Sequence, residues 1–229
     1  MTVRTGQGLW VVPSHRAVWM PQKTEHQIET SGLVKMRTLY LPSTLSDSFP
    51  PECVVVSVSP LLRELILHIC GIGLLNSSIS EHARLIGVLV DQIQALSTVQ
   101  FQLPLPIDRR ARRAAQTILS TLGDERSLDD ICRQVGASRR TLERFFLSET
   151  GMTTGVWRQQ ARVLRALQLL GAGQDVTSTA LDVGYSGTSA FVAMFKKAIG
   201  DTPGRYAMRK ALGDTPKLAD AAAASRKQT

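Results

Sequence analysis

Three arginines stand together in Ser138-Arg139-Arg140-Thr141-Leu142-Glu143-Arg144. A guanidinium is a planar fork of donors that can grip guanine O6 and N7 together, or a phosphate. Arg140 and Arg144 are four residues apart, so on a helix they share one face. Glu143 can accept from a cytosine amine, or steer an arginine. The same arginines could instead hold phosphates alone, which gives affinity without reading sequence. Other residues with chemistry to offer are sparse. His15, His26 and Glu25 are too few to converge on one metal ion. His68 and His82 fall on predicted helices and read as ordinary surface or core residues. Glu64 and Glu81 have no partners suited to acid–base catalysis. No glycine-rich phosphate loop, nucleophile elbow or zinc-protease helix occurs. The chain is therefore read as a non-enzyme with no cofactor and no metal.

The charge distribution supports a polyanion partner. The chain has 229 residues and a net charge of +8. Residues 1–106 carry seven basic and seven acidic side chains, so the whole excess lies beyond them. A neutral part followed by a basic part suggests a sensor or assembly segment joined to a nucleic-acid-binding one. No run of 18 apolar residues predicts a membrane span, and the N-terminus does not read as a signal peptide. Cys53, Cys70 and Cys132 are scattered and odd in number. That fits a reducing cytoplasm rather than a disulfide framework.

The elements that must position the arginines are legible from an internal repeat. One copy runs Leu128 to Ser138, Arg139 to Phe146 and Gly151-Met152-Thr153. The other runs Thr179 to Ser186, Ser189 to Lys196 and Gly200-Asp201-Thr202-Pro203. Each predicts a short helix, a turn at Gly136 or Gly184, a serine two residues later as the next cap, and a second helix. Leu142, Phe145 and Phe146 would point inward in the first copy, and Phe191 and Phe195 in the second. The opposite face is free to enter a DNA major groove. One extra residue lies in the second turn. Helices are predicted at about 108–122, 127–135, 138–149, 155–170, 177–183, 188–199 and 203–212. Upstream, residues 3–41 read as short strands and tight turns. Cys53 to Val58 read as a further strand. Helices follow from Ser59-Pro60 and from Ser80-Glu81, the latter reaching about residue 98.

Residues 109–212 resemble the DNA-binding domain of the AraC/XylS family of bacterial transcription regulators. The most specific stretch is Ala180-Leu181-Asp182-Val183-Gly184-Tyr185-Ser186, followed by Ser189-Ala190-Phe191, Phe195-Lys196, Gly200 and Thr202-Pro203-Gly204-Arg205-Tyr206. The resemblance implies a long helix, Gly155 to Leu170, joining two helix–turn–helix motifs. It implies base contacts at Arg140, Glu143 and Arg144. Gly8 to Pro13, Arg16 to Pro21 and Thr24-Glu25-His26 resemble, more weakly, the second half of a cupin domain, with Met36 to Tyr40 as its next strand. The first half is missing, which implies a truncated form or a misassigned start. The second motif departs from the family pattern. Gly187, Thr188, Ser189, Val192 and Ala193 are its exposed positions, and no long donor occurs before Lys196 and Lys197.

The fold class expected is mixed. A partial β, cupin-like half-barrel with helices precedes an all-α domain with two helix–turn–helix motifs. The expected divisions are a sensor at 1–58, a helical dimerisation or linker segment at 59–103, a DNA-binding domain at 107–212 and a flexible tail at 213–229. Expected DNA-facing residues are Ser138, Arg139, Arg140, Thr141, Glu143, Arg144, Ser186, Thr188, Ser189, Lys196 and Lys197. Arg205, Arg209 and Lys210 could add phosphate contacts. The function expected is sequence-specific binding of double-stranded promoter DNA, altering RNA polymerase recruitment. The resemblance also implies a homodimer, paired through the helix at about 80–98, and a possible small-molecule effector. The alternatives are a cupin-type metal-dependent enzyme and a nonspecific architectural DNA binder.

Overall fold

The computed structural model describes residues 1–212 apart from 14, 15, 31–33, 47, 48, 97, 100, 101 and 125, without the side chains of 46, 98, 99 and 209–212. His15 and the expected tail, 213–229, lie outside the described residues. The chain forms two compact units, residues 1–5 with 10–102, and residues 6–9 with those from 103 onward.

The first unit holds short strands and two longer helices. Strands β1 (Thr2–Thr5), β2 (Gly8–Val11), β3 (Arg16–Trp19) and β4 (His26–Glu29) come first. One turn of helix, α1 (Ser43–Ser46), precedes β5 (Val54–Ser57). Then come α2 (Pro60–Ile72), α3 (Ser80–Gln94) and β6 (Thr98–Val99). β1 and β4 pair antiparallel, Thr2 opposite Glu29 and Thr5 opposite His26. β5 lies between β3 and β6, antiparallel to both. Buried Trp10 donates from Nε1 to the Cys53 carbonyl at 3.0 Å, which satisfies its one polar atom. Ser59 caps α2 and accepts the Leu62 N–H, with Pro60 at the first helical position. Leu62, Leu65 and Ile69 of α2 then pack with Leu89 of α3 and with Val58.

Two expectations differ from the structure here. Met36 to Tyr40 form no strand. Leu39 and Leu41 instead pack against the α2–α3 core, while Tyr40 is exposed. The cupin resemblance implies a strand here, but the Leu39 and Leu41 side chains are covered by a helical core instead of a ladder. The helix α3 also stops at Gln94 rather than near 98, and the chain turns into β6.

The second unit opens on the end of β7 (Gln102–Pro104) and is helical from residue 109 onward among the described residues. The helices are α4 (Arg109–Ser120), α5 (Leu128–Val135), α6 (Arg139–Thr150), α7 (Thr154–Gly171), α8 (Val176–Asp182), α9 (Thr188–Ile199) and α10 (Pro203–Leu212). Side chains satisfy the orphan N–H groups at most of their starts. Asp108 caps α4, Ser138 caps α6, Thr153 caps α7 and Asp175 caps α8. At α5, Ser127 and Asp130 cap each other's backbone N–H reciprocally. The second motif breaks this pattern. Its extra turn residue makes Gly187, not Ser186, the residue before α9, and no side chain caps that helix.

The repeat extends into the core. Phe146 meets Trp157 edge-on at 5.4 Å, and Phe195 meets Tyr206 edge-on at 5.7 Å. Each pair locks the second helix of a motif to the helix that follows it, α7 in the first copy and α10 in the second. Such contacts contribute about 0.5–1.5 kcal/mol beyond area burial. Between the motifs, α7 buries side chains around most of its circumference, from Trp157 through Leu164 to Leu170.

The turn of the second motif is tightly enclosed. Gly184 has φ +81°, and a Cβ there would lie 2.5 Å from the Leu122 carbonyl oxygen and 2.7 Å from an Arg162 terminal nitrogen. Gly184→Ala is therefore expected to lower unfolding stability by about 1–3 kcal/mol, read from denaturant midpoints. Gly136, with φ +67° but open space around it, should lose less on the same change.

The caps also set an acid limit. Asp130 is held below the usual carboxylate range by the Ser127 hydroxyl, then by Arg133 and the Ser127 N–H. Asp175 is lowered by the Ser178 N–H and hydroxyl. At Asp108 burial opposes ionisation, but the Ala111 and Arg110 N–H groups outweigh it and lower the pKa. Groups lowered in the folded state stabilise above the unfolded value, and the effect is lost as pH falls through the folded one. Thermal midpoints should thus be flat above about pH 5 and fall below about pH 4. Asp130→Asn with Asp175→Asn should flatten that fall.

Candidate nucleic-acid interface

The second helix of the first motif, α6, presents two faces of opposite character. Leu142 and Phe146 are fully buried. Arg140 and Arg144 are exposed on the opposite side and Arg139 is exposed at the helix start, and among the described residues none of the three forms an ion pair. The Arg144 guanidinium carbon lies 5.0 Å from the centroid of the Phe145 ring. The ring braces the cation while leaving its donors outward. Phe145 is thus half-buried, not the core residue its type suggested, because it serves as an arginine seat.

Arg139 and Arg140 occupy the first two helical positions of α6. Cations there oppose the positive end of the helix dipole, each at about 0.3–1 kcal/mol when exposed. The arrangement disfavours the isolated helix and favours a site for an external anion.

The remaining first-motif candidates have partners inside the protein. Ser138 accepts the Thr141 N–H at 3.2 Å, and the two hydroxyls lie 2.8 Å apart. Glu143 Oε2 accepts the Thr154 N–H at 3.0 Å. That hydrogen bond ties α6 to the first residue of α7. Sequence reading missed this role, because the partner is eleven residues away and no local pattern marks it.

The second motif is weaker in donors. Phe191, Met194, Phe195 and Ile199 of α9 are buried. Ser186, Ser189, Lys196 and Lys197 are exposed, and Thr188 is half-buried. Lys196 lies about 12 Å along the axis from Thr188, at 1.5 Å per residue. The lysines occupy the last turn, where the dipole favours them. Arg205 pairs with Asp201 at 3.5 Å; the side chains of Arg209 and Lys210 lie outside the described residues.

Two arginines of α7 brace the motifs, Arg158 the lead-in to the first and Arg162 the turn of the second, and sequence reading missed both roles. Arg158 donates to the carbonyls of Arg126 at 3.1 Å and Asp124 at 3.0 Å. Burial and then the nearby Arg162 charge lower its pKa, against the opposing pull of Asp124. The Arg162 guanidinium lies 5.3 Å over the Tyr185 ring, beside Gly184.

The upstream histidine candidate gathers no ligand set. His26 is exposed, with Nδ1 2.8 Å from the Thr24 carbonyl. Among the described residues no three His, Cys, Asp or Glu side chains group to hold a metal ion, and no helix is long and apolar enough to cross a membrane.

Paired helix–turn–helix motifs with an arginine-bearing outward face define a DNA-binding protein. Comparison with known proteins places it further. A family described as "Helix-turn-helix domain" matches residues 131–210. The chain is 33% identical over 210 residues to the HTH-type transcriptional regulator NimR of Escherichia coli (strain K12), covering 91% of this chain and 76% of NimR. It is 37% identical over 103 residues to the HTH-type transcriptional regulator RipA of Corynebacterium glutamicum, covering 45% of this chain and 31% of RipA. A solved AraC-type transcriptional regulator from Chromobacterium violaceum aligns with 44% of this chain and 92% of its own, at 27% identity and a TM-score of 0.42. The chain belongs to the AraC family, and it is a sequence-specific DNA-binding transcription regulator.

Removing the Glu143 carboxylate leaves the Thr154 N–H without its acceptor. Glu143→Ala is expected to lower unfolding stability by about 1 kcal/mol. Thermal or denaturant unfolding checks this without any DNA.

Proposed function

We propose that α6 is the principal reader of the operator and that α9 supplies mainly affinity. Arg140 and Arg144 would take base edges in the major groove, and Arg139 an adjoining base or phosphate. Glu143, anchored through Oε2, offers Oε1 to a cytosine amine. Ser138 and Thr141 would face the same groove from the start of the helix. In the second motif, Ser186, Thr188 and Ser189 would read weakly, and Lys196 and Lys197 would hold phosphates. The observation that carries this reading is the set of three exposed arginines on α6 with no ion-pair partner, against an α9 whose only cations stand at its far end.

The first unit is proposed to act as a cupin-like half-barrel that senses a small-molecule effector. Its short antiparallel strands and the buried Trp10 support that reading. The chain would work as a homodimer in the cytoplasm, at promoters, by altering RNA polymerase recruitment. Pairing through α3 is supported by Ile86 and Val90, which are half-buried yet lie one turn apart outside the core that Leu85, Leu89 and Ile93 share with α2. The divisions proposed are a sensor at 1–58, a dimerisation segment at 59–103 and the DNA-binding domain at 107–212.

Selection of bound duplexes from a random pool tests the reading. Arg144→Ala should cost about 1–3 kcal/mol on the selected operator and relax one base position. Lys196→Ala should weaken all duplexes evenly and reduce the salt dependence. Equal losses for Arg144→Ala on selected and random DNA would identify a nonspecific architectural binder instead.

A further inference from the structure

The first helix of the second unit, α4, carries Arg109, Arg110, Arg112 and Arg113 and lies outside both copies of the repeat. Arg109 and Arg110 hold the first two helical positions, and no acidic residue occupies that turn. Their charge opposes the helix dipole there, as that of Arg139 and Arg140 does on α6. Arg112 is engaged internally, donating to the carbonyls of Pro106 at 3.0 Å and Gly6 at 2.8 Å. Arg109, Arg110 and Arg113 are exposed.

Arg110 is the informative one. Its guanidinium carbon lies 5.5 Å from the Phe145 ring centroid, and that of Arg144 lies 5.0 Å from the same ring. One aromatic side chain therefore seats a cation from each helix. Asp108 Oδ1 pairs with Arg110 Nε at 3.6 Å, a half-exposed ion pair of small strength that leaves the terminal guanidinium nitrogens for a phosphate. The start of α4 is also pinned to the end of α6, because the N–H groups of Ile107 and Asp108 both donate to Glu149 Oε2, at 2.6 and 3.0 Å. Arg110 is thus held at the shoulder of α6, beside its outward face.

A helix of about 10–12 Å diameter fills a major groove of about 12 Å. A cation at its shoulder then meets the bordering sugar–phosphate strand rather than a base edge. We propose that Arg110 is a phosphate contact, gripping the DNA backbone that borders the groove entered by α6. The proposal rests on the reading of α6 as the groove-entering helix. The shared ring gives the contact a second consequence. It fixes the phosphate-holding cation relative to the base-reading Arg144.

The test is equilibrium binding of the whole chain to its selected operator and to a random duplex across a salt series. Arg110→Ala should reduce the slope of log affinity against log salt by about 0.9 on both duplexes, with base preference unchanged. Arg110→Lys should restore the slope, since a phosphate accepts a point charge. Arg37→Ala, the same charge change at an exposed site in the first unit outside the proposed dimerisation segment, should leave it alone. An unchanged slope for Arg110→Ala overturns the proposal, and so does a changed base preference at one position. Arg144→Ala in parallel keeps the two readings apart. If base preference survives that change, the reading of α6 falls, whatever Arg110 does to the slope.

Discussion

An 18-residue helix that buries nine of its side chains cannot stand alone in water. In this protein α7 is such a helix, and the DNA-binding unit is organised around it. Its first turn takes Trp157 onto Phe146 of the first motif. Arg158 donates to carbonyls just ahead of the first motif, and Arg162 lies over the Tyr185 ring in the turn of the second. The core residues between these contacts, from Ala161 to Leu170, face neighbours from both motifs. The geometry of the two outer helices is therefore set by apolar burial far from any DNA.

That constraint explains why polar side chains near the groove face have dual duties. Glu143 sits one residue from Arg144 yet serves the start of α7. Ser138 and Thr141 satisfy the start of α6 before they can meet a base. The arginines carry no such duty, and Arg139 and Arg140 stand in positions the helix dipole disfavours. Stability is spent there on holding a site ready for an anion. The second motif shows the converse. Its cations sit where the dipole favours them and where base edges are far away, so it stabilises its own helix better than it reads sequence.

Much of this was legible from the chain alone, for physical reasons that differ by region. In residues 107–212 most helices are bracketed by a local signal, such as Asp108, Ser127 or Ser138 before them and Gly136, Gly151 or Gly200 after them. Local signals survive without tertiary knowledge. The three arginines were visible because exposed charge needs no partner to be recognised. The second-motif cap was misplaced at Ser186 because one inserted residue moves the helix start without changing composition. The internal roles of Glu143, Arg158 and Arg162 escaped because their partners are distant in sequence. Met36 to Tyr40 misled because the strand rested on a weak family resemblance, which does not say what buries the apolar residues. Leu39 and Leu41 found a helical core instead of a sheet.

The central claim is that one helix, α6, reads base edges while the other mainly holds the backbone. Methylation interference on the selected operator tests it directly, because N7-methylguanine blocks a major-groove guanidinium contact. The account predicts strong interference at guanines in one groove segment and weak or no interference in the neighbouring segment. Equal interference in both segments would contradict the division between the motifs. None in either, with binding intact, would contradict base reading altogether.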